Sequence, residues 1–234
     1  MATVILARHG RTAANADGVL AGRTRGVHLD ETGREQAASA AARLDGVPLA
    51  QVVTSPLERC RETAKVIAPG TRPVTDRRLL ECDYGDWTGQ DLRSLAKDNL
   101  WRTVQVQPSA ARFPGGESLQ EMSARAVAAV RERDCQVAAE HGDHAVWLAV
   151  SHGDVIKAII ADALGLHLDS FQRIVVDPGS LSVVTYTPDR AFVQTTNSVA
   201  GSLAHLGHKP RRRRRTSADA VVGGGAGPTS GDRS

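Results

Sequence analysis

The stretch Val4-Ile5-Leu6-Ala7-Arg8-His9-Gly10 decides the fold that this sequence predicts. Residues 3–7 are β-branched or aliphatic and show no polar alternation, which is the pattern of a strand buried on both faces. Arg8 and His9 follow at once, and a loop rich in glycine and arginine continues to about Asp30. We therefore expect an α/β protein with polar side chains at the carboxyl end of this first strand.

Strand-like and helix-like segments alternate along the rest of the chain. Further strands are predicted at 51–54, 73–75, 145–150, 181–186 and 192–195. Helices are predicted at 36–44, 56–69, 92–106, 119–140 and 155–164. This alternation predicts the α/β class, as a three-layer α/β/α sandwich with a mostly parallel sheet.

Three of the predicted helices are preceded by the sequence pattern of an N-terminal cap. A Ser or Thr followed three residues later by Glu occurs at 32–35, 55–58 and 118–121. In the second case Pro56 would take the first helical position, which tolerates proline. We expect all three helices to start at these patterns.

The composition changes after about Gly201, and we place a domain at residues 1–203 and a disordered basic tail at 204–234. The tail is rich in Arg, Gly and Ser and has almost no large apolar residue. It therefore cannot bury enough apolar surface to offset the conformational entropy lost on ordering. The formal net charge is +3, but the segment from Lys209 onward carries +5, which leaves −2 for the rest. The arginine run at 211–215 could attract nucleic acid, but no aromatic residue is interleaved with it, so nucleic acid is not favoured as a partner.

Other features of the sequence indicate a cytoplasmic protein. The three cysteines, Cys60, Cys82 and Cys135, are odd in number and lack a CxxC spacing, which argues against a disulfide framework and a structural zinc site. The chain starts directly with the strand-like segment, without the regions of a signal peptide. No apolar stretch has the length of a transmembrane helix, so no membrane partner is expected.

Polar residues follow four of the strand-like segments. Arg8 and His9 follow the first strand, Arg59 lies at the start of the helix after the second, Glu81 follows Leu79-Leu80, and His152 follows the strand at 145–150. In an open α/β sheet such positions face one crevice, where ligands bind. The topology is therefore expected to bring two arginines, two histidines and one carboxylate together.

This set of side chains fits a phosphoryl group. Arg8 and Arg59 can each offer a planar fork of donors to phosphate oxygens, and helix N-termini near Ser55 and His152 add main-chain N–H groups. Neighbouring arginines disfavour the charged form of a histidine, so His9 would stay neutral and nucleophilic. Covalent capture on His9 would split one difficult displacement into two easier ones, with Glu81 as acid and then base.

The chain resembles the histidine phosphatase superfamily, also called the phosphoglycerate-mutase-like family, in six blocks that stand in the family's order. They cover roughly residues 3–200 and are Leu6-Ala-Arg-His-Gly-Arg-Thr-Ala-Ala-Asn15, Leu29-Asp-Glu-Thr-Gly33, Ser55-Pro-Leu-Glu-Arg59, Leu80-Glu-Cys-Asp-Tyr-Gly-Asp-Trp-Thr-Gly89, Pro114-Gly-Gly-Glu-Ser118 and Ser151-His-Gly153.

The resemblance implies roles for individual residues and makes 1–203 a histidine phosphatase domain. His9 would be the phospho-acceptor and Glu81 the acid/base, while Arg8, Arg59 and His152 would hold the phosphoryl oxygens. Three positions match the substrate side: Asn15, Gly22 and Gly153. The chain departs from the family pattern at Arg11, where Glu or Gln is usual, and in the further loop arginines Arg23 and Arg25, which could favour a more anionic substrate.

Two activities remain open within this resemblance. Family mutases resemble one another in an inserted segment after the Glu81 block, and here only about 25 residues separate that block from Pro114. A shorter insert implies a more open pocket in which water competes for the phosphoenzyme, so we expect a metal-independent phosphomonoester hydrolase (acid-phosphatase-like) that acts on a small anionic metabolite. The alternative is a 2,3-bisphosphoglycerate-dependent phosphoglycerate mutase, and a second alternative is a non-catalytic module that binds a phosphorylated ligand or nucleic acid.

Metal and cofactor chemistry is not expected. His9 and His152 could instead ligate a metal, but no HxH or HxxxH spacing supports this, and adjacent arginines would repel a cation. The sequence indicates no metal site and no cofactor. It leaves a monomer and a homodimer equally open.

Overall fold

The computed structural model describes residues 2–201, 220–225 and 227. The strands are β1 Thr3–Arg8, β2 Leu49–Thr54, β3 Val74–Thr75, β4 Val146–Ser151, β5 Leu181–Tyr186 and β6 Ala191–Ser198. The α-helices are α1 Ala13–Asp17, α2 Glu31–Arg43, α3 Glu58–Ile67, α4 Leu92–Leu95, α5 Asn99–Val106, α6 Leu119–His141 and α7 Gly153–Ala163. Short 3₁₀ turns occur between them.

The strands form one mixed sheet in the order β3-β2-β4-β1-β5-β6. The strands β1, β2, β3 and β4 run parallel to one another, whereas β5 pairs antiparallel with β1, and β6 pairs antiparallel with β5. The carboxyl ends of β1, β2 and β4 therefore meet at one edge, since Arg8 pairs with Ser151 and Thr54 with Val150. This confirms the predicted α/β fold with a mostly parallel sheet.

Helices cover both faces of the sheet, and β1 shows how the sequence divides between them. Val4 and Leu6 belong to the larger apolar cluster, which includes side chains of α6 and α7. Ile5 and Ala7 belong to the second cluster, with residues of α2 and α3. Because successive strand residues point to opposite faces, a strand between two apolar layers must be apolar throughout. That is why Thr3–Ala7 shows no alternation.

One predicted helix cap is confirmed and two are wrong. Ser118 and Glu121 form the predicted capping box of α6, with both reciprocal hydrogen bonds. α2 instead starts at Glu31, because the Asp30 carboxylate accepts from the Gly33 N–H at 2.7 Å. α3 starts at Glu58 without a side-chain cap, since the Ser55 hydroxyl contacts His152 instead.

The predicted helix over 92–106 is two helices. α4 ends at Leu95, and α5 begins at Asn99 after Asp98, whose side chain accepts from the Leu100 N–H at 2.8 Å. An Asp in an N-cap position provides a local alternative to a continuous helix. The prediction missed this second start.

The segment Ala220–Gly225 differs from the expected disordered tail. Val222 is 1% exposed and belongs to the larger apolar cluster, although glycines surround it. Main-chain carbonyls of Gly223, Gly224 and Gly225 accept hydrogen bonds from Arg8. Hydrogen bonds to main-chain carbonyls thus hold a segment that has few side chains of its own. The amino-acid composition of the segment does not predict such contacts. The arginine run 211–215 and the rest of the predicted tail lie outside the described residues.

Candidate active site

His9 lies directly after β1 with one ring nitrogen free to react. Its main-chain N–H donates to the Ser151 carbonyl at 3.0 Å, and its ring Nδ1 lies 2.8 Å from the Gly10 carbonyl oxygen. Because a carbonyl only accepts, Nδ1 must carry the proton, which leaves a lone pair on Nε2. The ring is 3% exposed and lies 5.3 Å from the ring of His152, centroid to centroid.

Arg59 and His152 are held against each other beside His9. Arg59, in the first turn of α3, donates through Nη2 to the Gly22 carbonyl at 2.7 Å and lies 3.2 Å from His152 Nδ1. The other His152 nitrogen, Nε2, lies 2.8 Å from the Ser55 hydroxyl. Arg59 Nη1 is buried and has no hydrogen-bond partner within the described ranges. It is therefore a donor available to a ligand oxygen.

Glu81 follows a 3₁₀ turn at Arg77–Leu79 and is 3% exposed. Its Oε1 accepts from the Cys82 N–H at 3.0 Å. Its main-chain carbonyl accepts from Arg23 Nε at 2.9 Å and from Arg125 Nη2 at 3.1 Å. Two guanidinium groups thus fix the backbone of Glu81, a residue that lines the cavity.

Burial and neighbouring charges shift the pKa values of His9 and Glu81 in opposite directions. Burial, followed by the positive charges of Arg59 and Arg8, lowers the pKa of His9 well below its usual 6.5. Burial, followed by the negative charge of Asp154, raises the pKa of Glu81 to about 7. A histidine that resists protonation and a carboxyl group that retains its proton form a nucleophile and an acid at the same pH.

Asp154 was missed by the sequence reading although it follows Gly153 directly. It is fully buried, accepts from the Tyr84 hydroxyl at 2.8 Å and pairs with Lys157 at 3.2 Å. Its Oδ2 also accepts from the Gly223 N–H at 3.0 Å. The sequence did contain a signal for Asp154. Asp154 and Lys157 are three residues apart in a mostly apolar helix, and charged residues are rarely buried unless they are paired.

A small cavity opens beside His9. Its volume is about 30 Å³, the space of roughly two water molecules. Its lining consists of His9, Thr12, Ala14, Asn15, Val19, Leu20, Ala21, Gly22, Arg59, Glu81, Tyr84, Leu92 and Val222 to Gly225. Five of the eight residues predicted from the sequence line it, and three do not. The five are His9, Asn15, Gly22, Arg59 and Glu81, and the three are Arg8, His152 and Gly153.

Asn15 and Gly22 both have structural contacts besides their place at the cavity. Asn15 Oδ1 accepts from the Thr12 N–H at 3.1 Å, which completes the capping box of α1. Gly22 holds Arg59 through its carbonyl. Gly153 opens α7, and a Cβ built on it would lie 2.8 Å from the Gly223 oxygen. The predicted substrate contacts of these three residues stay predictions.

Two loop arginines, Arg11 and Arg23, pair with carboxylates of the protein, whereas the sequence suggested that they would be available to an anionic ligand. Arg11 pairs with Asp30 at 2.7 Å and donates to the Thr32 hydroxyl at 2.9 Å. Arg23 pairs with Asp83 at 3.1 Å and Glu117 at 2.8 Å. Internal carboxylates neutralise both, so neither adds a free positive charge to the cavity. The suggestion of a more anionic substrate loses its basis in these two residues.

Arg8 is fully buried and has main-chain partners on both terminal nitrogens. Nη1 donates to the carbonyls of Val176 and Gly225, at 2.8 and 2.9 Å. Nη2 donates to the carbonyl of Gly223, at 3.3 Å, and to the carbonyl of Gly224. Its Nε is buried and unpaired within the described ranges. Burial lowers the pKa of Arg8 to about 10, so it is still charged at neutral pH.

Comparison with known proteins identifies the family. The family model of the histidine phosphatase superfamily, branch 1, matches residues 4–199. The protein described as probable phosphoglycerate mutase GpmB of Yersinia enterocolitica is 33% identical over 212 residues, which cover 88% of this chain and 95% of the relative. The chain belongs to the histidine phosphatase superfamily, whose members are phosphatases or mutases.

Solved structures agree on the fold. The α-ribazole phosphatase of Shigella flexneri superposes with a TM-score of 0.72 at 28% identity, over 86% of this chain and 98% of that one. A mycobacterial glucosyl-3-phosphoglycerate phosphatase gives a TM-score of 0.73 at 25% identity, over 84% and 98% of the two chains. Both neighbours carry names of phosphatases with different substrates.

Two further observations bear on partners. No group of three or more His, Cys, Asp or Glu side chains in the described part of the chain is arranged to hold a metal ion. No helix within the same ranges has both the length and the apolar character needed to span a bilayer. The location of the protein, its oligomeric state and its independence of metal stay predictions.

Proposed function

We propose that this protein is a phosphatase that hydrolyses a phosphate monoester of a small metabolite through a phosphohistidine on Nε2 of His9. One observation carries the proposal: the hydrogen bond from Nδ1 to the Gly10 carbonyl leaves Nε2 unprotonated on a histidine that lines a cavity together with Arg59 and Glu81. The phosphatase names of the structural neighbours support the hydrolytic direction.

The reaction has two steps. The lone pair on His9 Nε2 attacks phosphorus, the bond from phosphorus to the ester oxygen breaks, and protonated Glu81 gives its proton to the departing oxygen. Water then attacks the phosphohistidine, the Glu81 carboxylate takes a proton from it, and the N–P bond breaks to release phosphate and neutral His9. Arg59 lines the cavity, and its Nη1 has no hydrogen-bond partner among the described residues, so it can donate to the phosphoryl oxygens on which charge develops.

Phosphoglycerate mutase activity is the second candidate, and the curated relatives favour it by their names. The chemistry differs only in the acceptor: an alcohol replaces water in the second step. The site itself offers the same nucleophile and acid to both reactions. A direct assay must therefore separate them.

The test uses the full chain with phosphoglycerates, sugar phosphates and p-nitrophenyl phosphate in the presence of EDTA. We expect phosphate release, and we expect an acid-labile ³²P label that His9→Asn removes together with at least about 10³-fold of the rate. The matched control is His28→Asn, an exposed histidine that pairs with Glu62 on the surface. Isomerisation of 3-phosphoglycerate that needs 2,3-bisphosphoglycerate, with negligible phosphate release, would show a mutase. Loss of activity in EDTA would contradict metal independence.

A further inference from the structure

The segment Ala220–Gly225 lines the active-site cavity and is held by hydrogen bonds at both ends. Ala220 makes two hydrogen bonds with the side-chain amide of Gln105, at 2.8 and 2.9 Å. At the other end, Gly225 accepts from Arg8 Nη1. The cavity wall includes Val222, Gly223, Gly224 and Gly225. We call Ala220–Gly225 the glycine strap.

The glycine strap occupies donors that the site would present to an anion. Three of its carbonyls take hydrogen bonds from the terminal nitrogens of Arg8, and Val176 takes the fourth. A guanidinium group has five N–H donors, so among the described residues one donor of Arg8, on Nε, is left without a partner. A phosphate oxygen is a charged acceptor and binds guanidinium more strongly than a neutral carbonyl does. Substrate and strap therefore compete for the same fork of donors.

The glycine strap forms part of the wall of the small cavity beside His9. Val222 to Gly225 line the cavity together with His9, Arg59 and Glu81, so a ligand bound beside His9 would lie against the strap. Within the described part of the chain, Arg59 Nη1, on a residue that lines the cavity, and Arg8 Nε have no hydrogen-bond partner. A buried donor without a partner costs free energy, so binding a charged ligand to these donors would favour displacement of the strap.

The sequence of the strap is suited to this close approach. Gly224 has φ +68°, and a Cβ on it would lie 2.9 Å from Arg8 Nη1 and 3.1 Å from Cζ. Gly223 has φ +73°, and a Cβ on it would lie 3.0 Å from Leu20 Cδ1. Both positions need a residue that tolerates the left-handed region and has no side chain. The glycine run is therefore required by the contact.

We propose that the wall of the active-site cavity includes a binding site for glycine-rich peptide backbone, filled by the chain's own Ala220–Gly225, and that phosphate ligands must displace this strap. The inference rests on the proposed phosphoryl site. Because only the open fraction of molecules binds an anion, the apparent affinity is reduced by that fraction. The strap thus lowers the apparent affinity for substrate by the free energy needed to displace it.

The test measures orthovanadate affinity by calorimetry in the full chain, in Gly224→Val and in Gln105→Ala. Gly224→Val pushes the strap from Arg8, and Gln105→Ala removes its distal anchor without a change inside the cavity. Gly46→Val is the matched control for the first, since Gly46 also has a positive φ, of 75°, but has no neighbour that a Cβ would meet. Gln107→Ala, at an exposed glutamine beside α5, is the control for the second.

We expect the vanadate affinity to rise about 3- to 10-fold in Gly224→Val, less in Gln105→Ala, and not at all in the controls. A synthetic peptide of residues 220–227 should weaken vanadate binding to Gly224→Val competitively. Vanadate should also speed amide hydrogen exchange at residues 222–224 in the unaltered chain. Equal or weaker vanadate affinity in both strap variants would overturn the competition alone. Absence of vanadate binding in every protein, Gly224→Val included, would overturn the phosphoryl site and the competition with it.

Discussion

His9 and Glu81 need opposite protonation states, and their surroundings supply both at neutral pH. The nucleophile must be unprotonated, and its pKa lies well below 6.5. The acid must be protonated for the first step, and its pKa is about 7. Without burial, and without Asp154 close by, Glu81 would be almost fully ionised at pH 7 and unable to protonate a poor leaving group.

This pair of pKa values predicts a pH profile for kcat/KM on alkyl phosphates. As the pH rises through about 7, Glu81 loses its proton and the rate of the first step should fall about tenfold per pH unit. As the pH falls, the rate should hold until the low pKa of His9 is reached. Glu81→Gln should slow alkyl phosphates far more than p-nitrophenyl phosphate, whose leaving group needs no proton. The same alkaline limb in Glu81→Gln would exclude Glu81 as its origin.

Both ring nitrogens of His152 have partners within the protein, and its predicted role in holding a phosphoryl oxygen stays a prediction. Its ring nitrogens already contact Arg59 and the Ser55 hydroxyl, and it forms part of the support behind His9. It also contributes little positive charge, because burial, followed by the charge of Arg59, lowers its pKa well below 6.5. The prediction that it holds a phosphoryl oxygen would require it to exchange one of these contacts.

At the scale of elements, the start of α6 is joined to the loop that carries Glu81. Glu117 lies just before this helix and contacts both Arg23 and Arg125, the two residues that hold the Glu81 carbonyl. Its Oε1 also accepts from the Asp83 N–H at 2.9 Å. One carboxylate thus connects the loop after Gly22, the loop after Glu81 and helix α6.

We therefore expect Glu117→Gln to misplace Glu81. The lost charge would weaken the hydrogen bonds of two arginines, costing about 2 kcal/mol of stability, and a shift of the acid would lower kcat by roughly tenfold or more. Chemical denaturation and kcat on an alkyl phosphate measure the two effects. Glu121→Gln is the control, because it keeps the capping box of α6 and contacts Arg112 away from the cavity. Equal effects of the two substitutions would contradict a specific role of Glu117.

At the scale of the whole molecule, a buried polar contact joins the first strand, the sheet and the longest helix. Asp134 of α6 accepts from Trp147 Nε1 of β4 at 3.1 Å and from the Ala2 N–H at 3.1 Å. Both side chains are 1% exposed. Burial raises the pKa of Asp134, which shows that its ionised form depends on these donors.

Trp147→Phe should therefore destabilise the fold without altering the chemistry. It leaves one Asp134 oxygen unpaired and removes part of a buried ring, for a loss of about 2–3 kcal/mol in the free energy of unfolding. The KM for p-nitrophenyl phosphate should be unchanged, since neither side chain lines the cavity. Denaturant titration and steady-state kinetics check both parts. A stable variant with a changed KM would contradict this division between core and site.

The amino-acid sequence by itself determined the strands, their alternation with helices and the position of Arg8, His9 and His152 at the ends of β1 and β4. These follow from local patterns: an apolar run such as Thr3–Ala7 must lie between two layers, and parallel strands bring their carboxyl ends to one edge. Only the tertiary structure decided the partners of those side chains. Arg23 is held by Glu117, the Ser55 hydroxyl contacts His152, and Arg8 is covered by Gly223–Gly225, more than 200 residues away along the chain. Such contacts depend on backbone groups and on distant residues, and neither has a signal in local composition.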